Sequence, residues 1–149
     1  MFRTAAALAI AAAALTGCAP EPQLSISDAW VRLAAGDGRP AAGYFTVNGG
    51  PAAATLVSVR TDLALRTELH ESMAAAGGGM TMDAIDQVPV PARGEVRFAP
   101  GGKHAMLFGV NPQVKPGTSL TLTFTFADST RIQHKARVIA AGDQAPSVD

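Results

Sequence analysis

Most of the groups that announce a chemistry are scarce in this 149-residue chain. It has one cysteine, Cys18, so no disulfide can form within the chain. Once Cys18 is assigned to the N-terminal segment, the folded part has no thiolate ligand and no thiol nucleophile. Charged residues make up 16% and sum to a net charge of zero, with no basic cluster. A nucleic-acid binder needs a basic face, and that class is excluded. No nucleophile stands with a base and no carboxylate pair has a reason to be close, so the chain reads as a non-enzyme. Long apolar runs are also missing. The longest, "AAALAIAAAALT" at residues 5–16, is too short to span a bilayer as a helix. After it no stretch keeps a helical period, and no internal repeat is visible.

That apolar run follows Met1-Phe2-Arg3, a short positive start, and closes on Leu15-Thr16-Gly17-Cys18. This order of features is that of a secretory signal, and its end resembles the lipobox of bacterial lipoproteins. Residues 1–17 are therefore expected to be a lipoprotein signal peptide. Cys18 would be the lipidated first residue of the mature protein, and residues 18–23 a polar tether. The resulting localisation is the bacterial periplasm or cell surface, anchored to a membrane by lipid. Ordinary cleavage near "TGCAP" would instead leave Cys18 as a stray thiol, a liability in an oxidising compartment.

From Leu24 onward the chain reads as strands and turns. "LSISDAWVRL" alternates in part, and "AGYFTVNGG" ends in the turn signal Asn48-Gly49-Gly50. "ATLVSVRT", "LRTELHE", "GEVRFAPGG", "HAMLFGV", "TSLTLTFTFAD" and "TRIQHKARVIA" follow at short intervals. Threonine, valine, phenylalanine and isoleucine dominate them, as half-buried strands require, and prolines and glycines punctuate them. Many short strands at this spacing predict an all-β sandwich or barrel over residues 24–140. In "SLTLTFTF" the core side falls to Leu120, Leu122, Phe124 and Phe126. Residues 141–149, small and polar, are expected to be a disordered tail.

Methionine and histidine carry the chemistry. Apart from Met1, the methionines are Met73, Met80, Met82 and Met106, and two of the three histidines, His70 and His104, fall among them. Gap-filling methionines would be scattered over many strands. In "HAM" the two-residue period of a strand puts His104 and Met106 on one face, and "MTM" does the same for Met80 and Met82. His70 falls on the polar side of "LRTELHE", away from Leu65, Thr67 and Leu69. Gly77-Gly78-Gly79 reads as a mobile surface loop. Any one of these residues taken singly is better read as core filling or a solvated group. As a cluster, thioethers with imidazoles suit Cu(I), whereas zinc more usually takes cysteine, histidine or carboxylate. His134, beside Lys135 and far from any methionine, reads as a solvated strand residue.

The spacing of His70, Met82 and His104-x-Met106 resembles the H(M)X10MX21HXM motif of the PCu(A)C copper chaperones. Glu71 stands where that pattern can carry a methionine. "AGYFTVNG" after "DAWVR", and "PGGKHAMLFGV", also resemble the family, and the likeness runs from about Leu24 to Ile139. The resemblance implies a cupredoxin-like, antiparallel β-sandwich or barrel that binds Cu(I) through His70, Met82, His104 and Met106. Met73 and Met80 would be auxiliary ligands or passengers. It further implies delivery of copper to the CuA subunit of cytochrome c oxidase, with a thioredoxin-like partner. Copper sequestration without a delivery partner and a metal-free interaction module are the alternative functions.

Overall fold

The computed structural model describes residues 19–147; the expected signal peptide and Cys18 lie outside them. The described chain forms ten strands. They are β1 (Ser25–Arg32), β2 (Ala41–Asn48), β3 (Ala54–Arg60), β4 (Ala64–Ala75), β5 (Gly79–Ala84), β6 (Val88–Val90), β7 (Glu95–Phe98), β8 (Lys103–Val110), β9 (Ser119–Phe126) and β10 (Arg131–Ile139). Their order is β5-β4-β8-β2-β1-β10-β9-β3-β6, with β7 paired to β2. β3 returns to pack against β4, so the sheet curls around one core. All pairs are antiparallel except β1 with β10, which run parallel.

The core is the set that strand alternation predicts. Leu120, Leu122, Phe124 and Phe126 of β9 are all buried. Phe45 stacks on Phe98 at 4.2 Å between ring centroids and meets Phe124 edge-on at 4.7 Å. Each such aromatic pair adds about 0.5–1.5 kcal/mol beyond its buried area. Leu69, Ala105 and Leu107 turn the inner sides of β4 and β8 into the same core. The alternate residues of those two strands are thereby placed on the outer face of the sheet.

A bulge in β1 decides which aromatic residue joins that outer face. The β1–β2 register slips between Ser27 and Trp30, where Asp28 has φ 53°. One extra residue reverses the alternation, so Trp30 leaves the core side and pairs with Tyr44. Trp30 and Tyr44 lie 4.4 Å apart and, with Ile139 and Ala42, form a small second cluster. The Arg32 guanidinium lies 5.0 Å over the Trp30 ring, and Nη2 donates to the Asp143 carbonyl at 3.1 Å. Of the segment expected to be a disordered tail, residues 141–147 are described, and this bond ties them to β1.

Two stretches differ from expectation. The glycine run is the turn of a β-hairpin, not an extended loop: β4 continues to Ala75 and β5 starts at Gly79. Gly77 and Gly78 take φ of 99° and 87°, values that glycine adopts without a Cβ penalty. The other is "VPV", where Val88 and Val90 are buried around an exposed Pro89. It forms β6 at the end of the sheet, where a proline's missing N–H is tolerated.

Candidate metal centre

The strand registers bring His70, Met82, His104 and Met106 onto one face. His70 of β4 is paired directly with His104 of β8, and Glu68 with Met106. Across the other side of β4, His70 faces Ala84 and Ser72 faces Met82. Directly opposed residues project the same way, as do residues two apart. The four predicted ligands therefore share the outer face of three neighbouring strands. Both tiny neighbours, Ala84 against His70 and Ala42 against Met106, leave the space above the sheet to imidazoles and thioethers.

The two imidazoles lie 5.9 Å apart between centroids and 24° from parallel. His104 is buried at 5% exposure despite its outward direction, with the Tyr44 ring 6.4 Å away. Its Nδ1 bonds to the Gly102 carbonyl at 3.0 Å. A carbonyl only accepts, so the proton sits on Nδ1, which leaves the Nε2 lone pair free for a ligand. His70 is engaged by its other nitrogen: Nε2 lies 3.1 Å from Glu68 Oε2. Its Nδ1 is buried with no hydrogen-bond partner. A buried, unpartnered imidazole nitrogen costs free energy unless something ligates it. With a second imidazole and two thioethers on the same face, it fits a soft metal ion.

Among the described residues, no three of His, Cys, Asp and Glu converge as a metal group. Any site here therefore depends on the methionines. Met82 is 51% exposed, and Met106 is half-buried. Of the two auxiliary candidates, the register separates one from the other. Met80 opposes Ala74 and is two residues from Met82, on the histidine face. Met73 opposes Thr81 and projects to the other side.

Glu71 also projects away from the histidines. It pairs with Lys103, whose Nζ donates to Oε1 at 2.6 Å, joining β4 to β8 one residue from the His70–His104 pair. Trp30, Tyr44 and Glu68, which sequence reasoning did not single out, complete the surroundings. Glu68 was within reach, lying two residues before His70 and so on its face. The placing of Trp30 needed the bulge, which no sequence pattern marks. Burial pushes the Tyr44 hydroxyl pKa above its usual value, with Arg32 drawing it partly back. His134, half-buried on β10, pairs across to Leu122 and lies outside the cluster.

The family described as "Putative lipoprotein LpqE-like" matches residues 24–138, nearly the whole described domain. The chain belongs to the LpqE-like family. The chain is also similar to "Putative lipoprotein Lxx21020" of Leifsonia xyli subsp. xyli. It is 32% identical over 128 residues, which cover 78% of this chain and 76% of the relative. Among solved structures, the copper-bound PCuAC domain from PmoF2 is similar at a TM-score of 0.63 and 21% identity, covering 82% of this chain and 99% of that one. The solution structure of CuI-DR1885 from Deinococcus radiodurans gives a TM-score of 0.64 at 26% identity, with 85% of each chain covered. The LpqE-like chain thus has the cupredoxin-like fold of PCuAC domains, and the resemblance read from its motif is borne out.

Proposed function

We propose that this protein is an extracytoplasmic Cu(I) carrier that holds one ion through His70, Met82, His104 and Met106. The observation that carries this reading is the placing of those four side chains on one face of β4, β5 and β8, with the His70 Nδ1 buried and unpartnered. Copper in the PmoF2 domain and Cu(I) in DR1885, named as such for those proteins, support it. Two imidazoles and two thioethers suit Cu(I) over harder divalent ions, and nothing in the set resembles a thiolate-based redox copper centre. Cu(I) is cargo here, and the protein is a carrier rather than an enzyme.

Hand-over is favoured over storage because Met82 is half-exposed on the outermost strand, where an acceptor's ligand can reach the ion. The CuA subunit of cytochrome c oxidase is the proposed acceptor, with a thioredoxin-like protein preparing its thiols. A lipid on Cys18 would hold the carrier at the membrane that contains such an acceptor. Titration with Cu(I) against a competing chelator tests the reading. One tight site is expected, lost in Met82→Leu and in Met106→Leu; parental binding by both variants would refute the assignment.

A further inference from the structure

The two histidines present different nitrogens, and each is held by the residue two places before it in sequence. His104 gives its Nδ1 proton to the carbonyl of Gly102. His70 meets the carboxylate of Glu68 through Nε2. A carboxylate only accepts, so that contact requires the proton on Nε2 and leaves Nδ1 with a bare lone pair. That Nδ1 is the buried nitrogen with no partner.

Glu68 is itself held in place. Its Oε1 lies 3.4 Å from Arg66 Nε, and the Arg66 guanidinium sits 4.1 Å over the Phe108 ring. Arg66, Glu68 and His70 are spaced by two along β4 and share the outer face, and Phe108 is the register partner of Arg66 on β8. Ring, guanidinium, carboxylate and imidazole form one row leading to the metal centre. Each of the two Glu68 oxygens has its own donor, so the carboxylate cannot turn without losing one of them.

We propose that Glu68 is a positioning residue: it keeps the proton of His70 on Nε2 and thereby presents Nδ1 to the copper ion, while His104 presents Nε2. The proposal rests on the reading of His70 as a ligand. A carboxylate on the far nitrogen of a ligating imidazole fixes its tautomer and ring angle and raises its basicity. It costs the site no vacancy, because the carboxylate stays off the metal.

Cu(I) is diamagnetic, so 15N NMR of the imidazoles reads both states of the full domain. In the apo protein the His70 Nε2–H is expected to be observable and protected from exchange, and in Glu68→Leu that protection is lost. On adding Cu(I), the His70 resonance that moves is expected to be Nδ1, with Nε2 still protonated, whereas His104 moves at Nε2. Cu(I) affinity in Glu68→Leu should fall by about 10–100-fold. Glu68→Gln, whose amide oxygen can accept the same bond, should recover most of it. Glu68 is 40% exposed, so an unchanged apo melting curve is expected and excludes a general loss of fold.

If copper instead moves His70 Nε2, or if Glu68→Leu binds Cu(I) more tightly than the parent, Glu68 is a competitor for the nitrogen and the proposal is overturned. His70→Ala separates the two claims. Should it bind Cu(I) as the parent does, the ligand reading falls and the proposal falls with it. Should it lose copper while Glu68→Leu does not, the ligand reading stands and the role of Glu68 alone is refuted.

Discussion

His70 on β4 and His104 on β8 are register partners, their rings 5.9 Å apart and 24° from parallel. The direct pairing fixes the neighbouring backbone positions from which the two rings project. Packing limits how far the rings turn, since His104 is buried and His70 half-buried. A pair of candidate ligands placed in this way is largely in position before an ion arrives, which lowers the ordering cost of binding.

Removing either ring should therefore be severe. His70→Ala and His104→Ala are each expected to weaken Cu(I) binding by more than the roughly 10–100-fold that follows from losing a supporting partner. Competition titration against a Cu(I) chelator gives the values. His134→Ala, on β10 and away from the cluster, should bind as the parent does; a comparable loss there would count against the site as drawn. A proton competes with Cu(I) for each imidazole nitrogen, so affinity should also fall as pH is lowered.

The β4–β5 register sets Met80 apart from Met73. Met80 lies on the histidine face and Met73 on the opposite one. Met80→Leu should keep the equilibrium affinity nearly unchanged yet slow copper transfer to an acceptor in a stopped-flow assay. Met73→Leu should change neither. Equal slowing in both variants would remove the distinction, and an affinity loss in Met80→Leu would make it a ligand.

Tyr44 supplies a pH dependence with a defined sign. Burial disfavours its phenolate, so its pKa in the folded protein is raised above the usual 10.0 despite the opposing pull of Arg32. In the unfolded chain the hydroxyl ionises near 10. The stabilising contribution of neutral Tyr44 is thus complete below the unfolded value and is lost as pH climbs through the folded one. The chain has a single tyrosine, so tyrosinate absorbance belongs to Tyr44 alone. Its titration midpoint should lie above 10, and Tyr44→Phe should lessen the alkaline fall in melting temperature. A midpoint at or below 10 would contradict the burial account.

Membrane attachment is tested at Cys18. Several acyl chains hold a protein firmly where one holds it only marginally. Cys18→Ser is expected to move the protein from the membrane to the soluble fraction or to stop its maturation. Unchanged partitioning of the variant would rule out lipid at that position.

Much of this was legible from residue order alone. Leu120, Leu122, Phe124 and Phe126 could be assigned to the core because strand alternation has one period and β9 keeps it without interruption. The common face of His70, Met82, His104 and Met106 was legible in part, since a two-residue period puts His104 with Met106, while the pairing of His70 with His104 needed the strand register. What stayed hidden depended on breaks in the pattern. The bulge at Asp28 interrupts the alternation of β1, so the pattern could not assign Trp30 to a face. Three consecutive glycines masked a hairpin whose flanks pair fully from His70–Ala84 to Ala75–Gly79. The prolines around "VPV" hid an end strand. The face of Glu68 followed from its place two residues before His70, but its contact with Nε2 needed the orientation of the His70 ring.

The placing of Met82 on β5, at the end of the sheet order, has a chemical consequence. A thioether that takes up one oxygen becomes a sulfoxide, which is polar and a poor partner for a soft ion. Met73, Met80 and Met82 are 48%, 61% and 51% exposed, while Met106 is half-buried on β8. Mild peroxide should therefore disarm the site from its rim inward, with peptide mass spectrometry finding oxygen on the β4–β5 hairpin before Met106. Bound Cu(I) should shield Met82 while leaving Met73 open. Since methionine sulfoxide is enzymatically reducible, the proposed ligand most open to oxidants is also the one a repair enzyme can reach, so the weakest point of the site is serviceable without unfolding.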